Sequence, residues 1–482
     1  MKHTAYTLAR KNRDKNFDGK FYFGVKTTGI FCRPSCPAPT AKEEHVVYFD
    51  TMMDALDAGF RPCLRCRPDI TTEYPIANIE GAHIVNEALK MIYEGYLNDH
   101  SLQDLAGSLF VSDRHLRKLF ADQLGIPPIK VAKYHKAIFA KRLLLSSDLS
   151  ITDVALASGF RTTRQFNEVF QQIFHTTPTK VRHSAKHASN ALTLQLKYQK
   201  PYAFGSMLDF YRHRAIEGVE LVTLDSYSRT FRTAYGKGYF TVTDDADASC
   251  LVLDIHSDSI TCAMEIYHRV RRMFDLDTDF ATMESVFAND PILKHGLDHG
   301  QVPRMPLVFE PFEHAIKAIL GQQITVKAAT TLAGRIVKRM EKRTKDYPEG
   351  LGYTFPTAEE LQGMDLEGLG ITKTRQQTIQ TVVDAIVEGK VSLSSNQSFD
   401  TFNKAFSALK GVGNWTVNYV AMRGLGMVDS FPAKDLGVIK ALTKDGQVPT
   451  EKEILQKAEA WRPYRAYATL CLWAMESNKE NA

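Results

Sequence analysis

Hydrophobic positions recur with a helical period in two long parts of the chain and alternate with polar positions in a third. Between residues 80 and 183, apolar residues return every three or four positions, which predicts helices alone. Alternation at 192–196 and 250–255 predicts strands, and a helix is expected over 204–216. Residues 305–482 return to the helical period. The pattern therefore predicts a mostly helical chain of several domains, with a mixed α+β segment near its middle.

Proline and glycine interrupt residues 1–75, where two close pairs of cysteines lie. Cys32 and Cys36 form a Cys-x3-Cys pair, and Cys63 and Cys66 form a Cys-x2-Cys pair. Two such pairs separated by a short stretch of chain have the spacing of a zinc site with four thiolate ligands. Two unrelated pairs of structural cysteines are the alternative. The three remaining cysteines stand in apolar contexts and are expected to be buried free thiols, namely Cys250, Cys262 and Cys471.

The cysteine motifs resemble those of a known family. The segments TTGIFCRPSC (27–36) and AGFRPCLRCRPD (58–69) resemble the N-terminal domain of the Ada adaptive-response proteins. The resemblance implies that Cys32 accepts a methyl group irreversibly from a methylphosphotriester in DNA while bound to zinc. Cys36, Cys63 and Cys66 would complete the zinc site. The spacing alone predicts the metal and does not say which thiolate reacts.

The charge of the chain is unevenly distributed. The whole chain carries a formal charge of +5, whereas residues 101–190 hold thirteen Lys and Arg against six Asp and Glu, an excess of +7 that leaves about −2 for the remainder. A basic block of this size fits a polyanionic partner, and a solvated basic surface is the alternative. With no signal pattern at the N-terminus and no apolar run of about 18 residues, we expect a cytoplasmic protein without a membrane partner.

The basic block carries a helix pattern that occurs twice. Ser112 is placed to cap a helix over 113–124, and a turn at Gly159 leads to a second helix over 163–174. Each of these helices follows a shorter one, which is typical of a helix-turn-helix. A generic helical bundle is the alternative. The duplication together with the basic excess favours binding to double-stranded DNA.

The duplicated segment resembles the AraC-type DNA-binding domain, including its closing Thr177-Pro178. The resemblance implies a transcription activator with RNA polymerase as a partner. It also implies groove-facing residues on the second helix of each helix-turn-helix. These are Arg114, Arg117 and Lys118 in the first helix-turn-helix, and Arg164, Gln165 and Asn167 in the second. Glu168 departs from the basic residue expected there, and it would repel phosphate or accept a hydrogen bond from a cytosine amino group.

One stretch of the C-terminal segment combines a Gly-x-Gly turn, an aromatic helix and one carboxylate. Gly411 and Gly413 form the turn, Trp415 and Tyr419 follow on the predicted helix, and Asp435 precedes another predicted helix. Backbone N–H groups exposed at a helix N-terminus can hold a phosphate. Taken alone, the glycines could merely cap a helix and the aspartate could merely be an N-cap.

Several motifs around this stretch resemble the helix-hairpin-helix DNA glycosylases, in particular 3-methyladenine DNA glycosylase II of the AlkA kind. The motifs are PYAFGSMLDFYRHRAIEGVE (201–220), ILGQQIT (319–325), LKGVGNWTVNY (409–419), FPAKD (431–435) and YRAYATLCLW (464–473). Their spread over separate parts of residues 192–478 makes a chance match a poor explanation.

This resemblance implies roles for the site residues. Gln323 would fill the gap that a flipped base leaves in the duplex. The base would stack on aromatic residues, which are Trp415, Tyr419, Trp473 and Phe210. Asp435 would stabilise the oxocarbenium-like sugar or orient the attacking water. A cationic base such as 3-methyladenine gains about 0.5–2 kcal/mol from aromatic faces. Relatives that also cut the strand carry a lysine where Trp415 stands, so the expected enzyme is monofunctional.

The predicted fold class is a multidomain, mostly α protein with α+β modules. The expected domains are an Ada-type zinc methyl-acceptor domain at 1–75, an AraC-type double helix-turn-helix domain at 80–183, an AlkA-type α+β domain at 192–303 and a helix-hairpin-helix glycosylase domain at 304–482, with a polar linker at 183–192. The expected function is excision of alkylated bases from DNA, fused to an acceptor that regulates transcription of the adaptive response. The alternative is a methylation-activated regulator whose C-terminal half only binds damaged DNA. As in relatives, the hairpin backbone around Ser407, Leu409 and Val412 is expected to hold a monovalent cation.

Overall fold

The structure, a computed structural model, describes residues 2–480 except 64, 65, 67, 69–82, 183–191, 279, 299, 341, 342, 345, 396 and 445. The chain forms two compact units. The first comprises Met1–Lys200 and Arg232–Arg269, and the second comprises Pro201–Phe231 and Val270–Ala482. Apart from Leu192, the predicted linker lies outside the described residues. In the described part of the chain, no helix has the length and hydropathy that a membrane span requires.

The first unit opens with a small sheet that carries the cysteines. Its strand order is β3-β1-β2-β4, where β1 is Tyr22–Val25, β2 is Ile30–Cys32, β3 is Val46–Phe49 and β4 is Arg61–Pro62. Strand β1 is antiparallel to β2 and β3, whereas β2 and β4 are parallel. The same segment contains helices α1 (Lys2–Lys11) and α2 (Met52–Asp57). Cys32 therefore ends a central strand, and Cys63 directly follows an edge strand.

Residues 83–182 are helical, as the hydrophobic period predicts. The helices are α3 (His83–Tyr93), α4 (Leu102–Ser108), α5 (Asp113–Leu124), α6 (Pro128–Ser146), α7 (Ile151–Ala157), α8 (Thr163–Phe174) and α9 (Pro178–Val181). Ser112 caps α5 by accepting a hydrogen bond from the His115 backbone N–H, which confirms the predicted start of this helix. The apolar stripes of α5 and α8 are buried, including Phe120 and Phe166. Burial of these stripes leaves the polar sides of both helices exposed.

The α+β segment contributes strands to both units. In the first unit, β5 (Leu192–Lys197) and β8 (Gly236–Asp245) both pair antiparallel with β9 (Cys250–Ser257). In the second unit, β6 (Glu220–Val222) pairs antiparallel with the first residues of β7 (Ser226–Thr233). The buried and part-exposed residues of β5 alternate as the sequence predicts.

The helix between β5 and β6 is shorter than predicted. Helix α10 spans Phe204–Arg212, whereas the pattern predicts a helix that continues to Ile216. The chain turns earlier because the Arg214 N–H donates to the Tyr211 carbonyl. The Ile216 N–H donates to the Glu220 carboxylate at 3.0 Å. The predicted end of this helix is therefore wrong, since a side-chain acceptor replaces the next helical carbonyl.

The rest of the second unit is a helical bundle around two cores. After α11 (Ala263–Met273), its helices are α12 (Phe280–Asn289), α13 (Pro311–Leu320), α14 (Val326–Arg339), α15 (Ala358–Leu361), α16 (Lys373–Val387), α17 (Phe399–Ser407), α18 (Asn414–Tyr419), α19 (Leu436–Leu442), α20 (Glu451–Ala458) and α21 (Arg465–Glu480). One core includes Ile319 and Val417, and the other includes Val438 and Leu472. Tyr419 packs against both cores. Helix α18 therefore places Tyr419 where the two cores meet.

Candidate functional site

The four clustered cysteines meet at one point in the first unit. The Sγ atoms of Cys32, Cys36, Cys63 and Cys66 all lie within 4.8 Å of one another, and the four residues are buried. A tetrahedral zinc ion with Zn–S distances of about 2.3 Å separates its sulfur ligands by about 3.8 Å. The cluster therefore has the size of a four-thiolate zinc site. The other three cysteines, Cys250, Cys262 and Cys471, are buried free thiols as predicted.

The four thiols influence one another strongly. Hydrogen bonding with Cys36 and the other two thiols, together with burial, raises the pKa of Cys32 far above its usual value. Hydrogen bonding with Cys32 lowers the pKa of Cys36 to about 7 and shifts the pKa of Cys63 far below the usual range. Buried sulfurs this close cannot all become thiolates unless a cation offsets their charge. The chemistry of the donor set therefore fits zinc.

A carboxylate shapes the loop between the first two cysteines. Asp18 accepts hydrogen bonds from the Ser35 backbone N–H at 3.0 Å and from the Ser35 hydroxyl at 2.5 Å. The same carboxylate pairs with Arg33 at 2.9 Å. The loop that carries Cys32 and Cys36 is therefore held by side-chain contacts beside the cysteine cluster.

The first helix-turn-helix unit presents its predicted DNA-reading residues to solvent. Arg114, Arg117 and Lys118 lie on α5 and are exposed. Arg117 Nε is 3.5 Å from the Asp113 carboxylate one turn earlier, so part of its charge is offset. A helix face with exposed cations opposite a buried apolar stripe is suited to contact phosphates and base edges.

The second helix-turn-helix unit differs because its arginine is already paired. Arg164 Nε donates to Glu168 Oε1 at 2.9 Å across one turn of α8, and both side chains are exposed. Gln165 is exposed and accepts a hydrogen bond from the Arg161 N–H at 3.3 Å, while Asn167 is exposed. Glu168 therefore reduces the positive charge of this helix, in addition to departing from the AraC-type pattern.

The Gly-x-Gly turn joins α17 to α18 in a conformation that requires glycine. Gly411 has a φ of 89°, and a Cβ added there would lie 2.1 Å from Thr378 Oγ1. Gly413 is the N-cap of α18. Gln322 Nε2 donates to the Gly411 carbonyl at 3.1 Å and to Thr416 Oγ1 at 3.2 Å. Gln322 thus ties the loop after α13 to the hairpin.

Gln323 stands beside this anchor in a strained conformation. It is exposed and has a φ of 57°, in the left-handed region that costs a residue with a side chain about 1–2 kcal/mol. Arg375 donates a hydrogen bond to the Gln322 carbonyl. The contacts of Gln322 therefore hold the backbone on one side of Gln323 while its side chain extends into solvent.

Asp435 caps α19 and accepts four hydrogen bonds. Its Oδ1 accepts from the backbone N–H groups of Gly437 at 2.9 Å and Val438 at 3.2 Å. Oδ1 also accepts from Trp473 Nε1 at 2.7 Å, and Oδ2 accepts from Trp415 Nε1 at 2.9 Å. The N-cap that the sequence allowed is present, and two indole N–H groups converge on the same carboxylate. These donors fix the orientation of Asp435.

Aromatic rings gather around this carboxylate. Trp415 and Tyr419 lie one turn apart and stack with their ring centroids 4.8 Å apart and their planes at 14°. The buried His314 ring lies 4.9 Å from that of Tyr419, and burial lowers the pKa of His314 to about 3. Trp473 reaches the carboxylate from α21. Of the four predicted pocket aromatics, Trp415 and Trp473 therefore contact Asp435, and Tyr419 stacks on Trp415.

Phe210 is linked to the site through a buried arginine. Arg423 Cζ lies 4.4 Å from the ring centroid of Phe210 and 5.5 Å from that of Trp473. Arg214 Cζ lies 4.0 Å from the Phe210 centroid. Arg423 is 3% exposed, and its Nη1 donates to the Pro306 carbonyl at 3.0 Å. Burial lowers the pKa of Arg423 to about 10, which leaves it charged at neutral pH.

Sequence reasoning missed Gln322, Arg423 and Gly437. Arg423 follows Tyr419 by one turn, and a charged residue on an otherwise apolar helix face is a signal that could have been used. A Cβ added to Gly437 would lie 2.6 Å from Trp473 Cδ1, which no local pattern reveals. These three residues shape the site through tertiary contacts.

The fold and site define a zinc-binding, helix-turn-helix chain that continues into a helix-hairpin-helix base-excision module. Four family models match it: "Metal binding domain of Ada" at 5–69, "Helix-turn-helix domain" at 105–184, "AlkA N-terminal domain" at 193–310 and "HhH-GPD superfamily base excision DNA repair protein" at 316–463. A "Probable bifunctional transcriptional activator/DNA repair enzyme AlkA" of Mycobacterium tuberculosis (strain CDC 1551 / Oshkosh) is 34% identical over 474 residues, covering 96% of this chain and 95% of that protein. The chain belongs to this family of fused Ada-type and AlkA-type proteins.

Two further comparisons concern the C-terminal part. "DNA-3-methyladenine glycosylase 2" of Escherichia coli (strain K12) is 28% identical over 284 residues, which cover 58% of this chain and 96% of that protein. The solved structure of a 3-methyladenine DNA glycosylase from Archaeoglobus fulgidus covers 60% of this chain and 99% of its own, with a TM-score of 0.50 and 18% identity. The structural match shows a shared fold. The predicted fold class and the resemblances to Ada-type proteins and AlkA-type glycosylases are confirmed, and the segment between them matches a helix-turn-helix domain.

Proposed function

We propose that this chain repairs alkylated DNA and that its second unit is a monofunctional 3-methyladenine DNA glycosylase of type II. The observation that carries the proposal is the convergence of the Trp415 and Trp473 indole N–H groups on Asp435. A fixed carboxylate surrounded by aromatic faces suits the hydrolysis of an N-glycosidic bond to a flat, damaged base. Double-stranded DNA is the substrate.

The hydrogen bonds of Asp435 suggest how it acts. Oδ1 accepts three hydrogen bonds, whereas Oδ2 accepts one, from Trp415. Oδ2 therefore keeps capacity to face the sugar of a flipped nucleotide. As the C1′–N bond breaks, its electron pair leaves with the base, and the carboxylate stabilises the positive charge that develops at C1′.

The remaining steps use the neighbouring residues. The exposed Gln323 fills the gap left in the duplex, the backbone of Gly411 and Gly413 binds phosphate, and the extruded base stacks on the Trp415–Tyr419 pair. Water adds to C1′ and loses a proton, which yields a free base and an abasic site. A base that is already cationic leaves as a neutral molecule without being protonated. The reaction stops there because a tryptophan stands where strand-cutting relatives carry a lysine.

The cysteine cluster would perform a second, stoichiometric repair. The sulfur of Cys32 attacks the methyl carbon of a methylphosphotriester, so that an S–C bond forms while the C–O bond breaks and a phosphodiester anion remains in the DNA. Cys32, Cys36, Cys63 and Cys66 would hold the zinc. Bound zinc keeps cysteine sulfurs as thiolates at neutral pH. No step regenerates the thiolate, so each chain accepts one methyl group.

The helix-turn-helix segment would couple this repair to transcription. Methylation removes one negative charge from the cluster, which lowers its repulsion from DNA phosphate. The exposed Arg114, Arg117 and Lys118 would then hold promoter DNA, with Arg164 and Gln165 contributing from the second helix-turn-helix. RNA polymerase would be the partner of the activated protein. Because Glu168 pairs with Arg164 and offsets its charge, we expect the first helix-turn-helix to provide the larger share of DNA binding.

The organisation and location of the chain are part of the proposal. We assign the domains to 1–75, 80–183, 192–303 and 304–482, and the protein to the cytoplasm. A monovalent cation would bind the hairpin carbonyls near Leu409, where the Val412 N–H donates to the Leu409 carbonyl at 3.1 Å and closes the turn.

The excision reaction is tested with Asp435→Asn, which keeps the size of the side chain and removes its charge. A carboxylate about 4 Å from a unit positive charge, at an effective dielectric constant of about 20, contributes about 4 kcal/mol. We therefore expect abasic sites to form in methylated duplex DNA about 10³-fold more slowly than with the wild type. The exposed Asp400→Asn on α17 is the control and should keep the wild-type rate.

The same assay distinguishes the glycosylase from a regulator that only binds damaged DNA. Wild-type rates in Asp435→Asn would exclude the assigned role of this carboxylate. If the wild type binds methylated DNA but forms no abasic sites, the C-terminal half is a damage-binding clamp of a regulator.

The methyl-acceptor role of Cys32 is tested by mass spectrometry, which should detect one added methyl group on the Cys32 peptide. Methyl transfer that survives in Cys32→Ala would refute that assignment.

A further inference from the structure

A large apolar residue of the first helix-turn-helix stands in solvent. Phe110 lies in the turn between α4 and α5 and is 87% exposed. Its φ is 58°, in the left-handed region of the backbone. This conformation costs a residue with a side chain about 5- to 30-fold in the folding equilibrium. Because the ring is exposed, burial of apolar surface does not offset this cost.

The hydrogen bonds of this turn define a helix ending that favours glycine. The Phe110 N–H donates to the Gly107 carbonyl at 3.0 Å, and the Val111 N–H donates to the Ala106 carbonyl at 3.0 Å. These two bonds form a Schellman motif, in which the residue with the left-handed conformation is usually glycine. The backbone therefore does not explain why a phenylalanine stands at position 110.

The second helix-turn-helix contains the same turn with a glycine. After α7, the Gly159 N–H donates to the Leu156 carbonyl at 2.9 Å, and the Phe160 N–H donates to the Ala155 carbonyl at 3.0 Å. Gly159 has a φ of 74° and takes the place that Phe110 has in the first helix-turn-helix. The duplication therefore shows that glycine suits this backbone position.

The surroundings of the two turns differ. A Cβ added at Gly159 would lie 2.3 Å from Asn98 Oδ1, so a side chain there would displace a packed neighbour. Phe110 instead stands in open solvent, where a side chain has room. The space around Phe110 permits the ring, although the backbone conformation disfavours it. Strain that burial does not offset, at a residue exposed on the surface, indicates a binding role.

The position of Phe110 in the chain favours DNA as its partner. It stands two residues before Ser112, the N-cap of α5. The exposed cations of α5 follow directly, namely Arg114, Arg117 and Lys118. Cations beside the ring favour a polyanion over an apolar protein surface. In a helix-turn-helix bound to DNA, the N-terminal residues of the second helix contact base edges in the major groove.

We propose that Phe110 contacts the C5-methyl group of a thymine in the major groove and is a specificity-determining residue of the first helix-turn-helix. The inference rests on the proposed DNA-binding function of this segment. The thymine methyl is the apolar group that base pairs present in the major groove, and a phenylalanine ring can pack on it. Phosphate contacts position the helix, whereas the methyl contact adds a preference for thymine. Burial of one methyl group changes the affinity by about fourfold.

The test compares thymine with uracil, which lacks only this methyl group. The promoter region of the chain's own gene is amplified once with dTTP and once with dUTP, and the Kd of the full chain for each duplex is measured at one salt concentration. The ratio of Kd for the uracil duplex over Kd for the thymine duplex should fall about fourfold in Phe110→Gly. Phe110→Tyr keeps the ring and should keep the wild-type ratio within about twofold. The matched control is Leu224→Ala, because Leu224 is 89% exposed in the turn between β6 and β7, and it should also keep the ratio.

Thermal unfolding of the same variants separates binding from folding. Glycine relieves the left-handed strain at position 110, so Phe110→Gly should melt at the wild-type temperature or above it. A lower melting temperature with an unchanged Kd ratio would show a structural role and overturn the inference. A loss of affinity that is equal on both duplexes would also overturn it.

The same measurements distinguish this inference from the function on which it rests. If the wild type binds its promoter no more tightly than an unrelated duplex of the same length, the proposed DNA-reading function fails. If the wild type binds the promoter specifically and the Kd ratio does not respond to Phe110→Gly, only this inference fails.

Discussion

Gly437 allows Trp473 to reach Asp435, and replacing Gly437 with alanine should slow excision while changing the stability of the protein little. The added Cβ would lie 2.6 Å from Trp473 Cδ1, 3.0 Å from Trp473 Nε1 and 3.1 Å from Asp435 Oδ1. Ordinary van der Waals contact begins at 3.4 Å, so the indole must move by about 0.8 Å. The Trp473 Nε1 to Asp435 Oδ1 hydrogen bond, now 2.7 Å, would then be broken.

The magnitude of this change can be estimated from the lost contact. A hydrogen bond to a charged group contributes about 1.5–3 kcal/mol, which corresponds to a factor of roughly 10–150 in rate if the contact is needed in the transition state. A shift of about 1 Å in a positioned group costs a similar factor of about 10². The backbone of α19 gains helix propensity of up to about 1 kcal/mol when glycine becomes alanine. We therefore expect excision to fall 10- to 100-fold while the melting temperature changes by less than about 4 °C.

The assay is single-turnover abasic-site formation on methylated duplex DNA, together with thermal unfolding of each variant. Gly334→Ala is the matched control, because Gly334 also lies in a helix of the second unit and an added Cβ there would meet nothing within 4 Å. It should keep the wild-type excision rate. A Gly437→Ala protein that is folded and excises bases within twofold of the wild-type rate would refute the assigned role of the Trp473–Asp435 contact.

Three more predictions concern stability. Gly411→Ala should lower the free energy of unfolding by about 1–3 kcal/mol in urea, because its φ is 89° and the new Cβ would meet Thr378 at 2.1 Å; unchanged stability would show that the hairpin can relax. Burial lowers the pKa of His314 to about 3, so the folded protein holds fewer protons than the unfolded chain, and the free energy of unfolding should fall as pH drops from about 6.5 toward 3 by up to about 1.4 kcal/mol per unit. A His314→Asn variant with an undiminished slope would contradict this assignment. Zinc removal by a chelator should lower the temperature of the calorimetric unfolding transition of the first unit. Identical transition temperatures with and without chelator would argue against zinc at the four-cysteine cluster.

The zinc cluster and the recognition helices could be predicted because their signals are local. Four cysteines in two close pairs are typical of ligands to one metal ion, and their Sγ atoms do lie within 4.8 Å of one another. Ser112 stands at the start of a helix whose apolar period decides which side faces solvent. The Arg164–Glu168 pair could also have been derived, since residues four apart on a helix are neighbours.

The excision site could not be derived from local pattern alone. Asp435 is separated from Trp415 by 20 residues and from Trp473 by 38, and only the packing of three different helices brings the indole N–H groups to one carboxylate. The resemblance to known glycosylases supplied these residues, whereas periodicity predicted only an N-cap. Arg423 was missed because its burial depends on tertiary contacts with Phe210 and the Pro306 carbonyl.

We propose that one chain combines a catalytic excision site with a methyl acceptor that works once. The most direct test is a single reaction of the purified chain with excess methylated duplex DNA. Released bases are counted by chromatography, and the methylated Cys32 peptide is counted by mass spectrometry. We predict many methylated purines released per chain and at most one methyl group on Cys32. Absence of released purines, or release that stops at one per chain, would contradict the account.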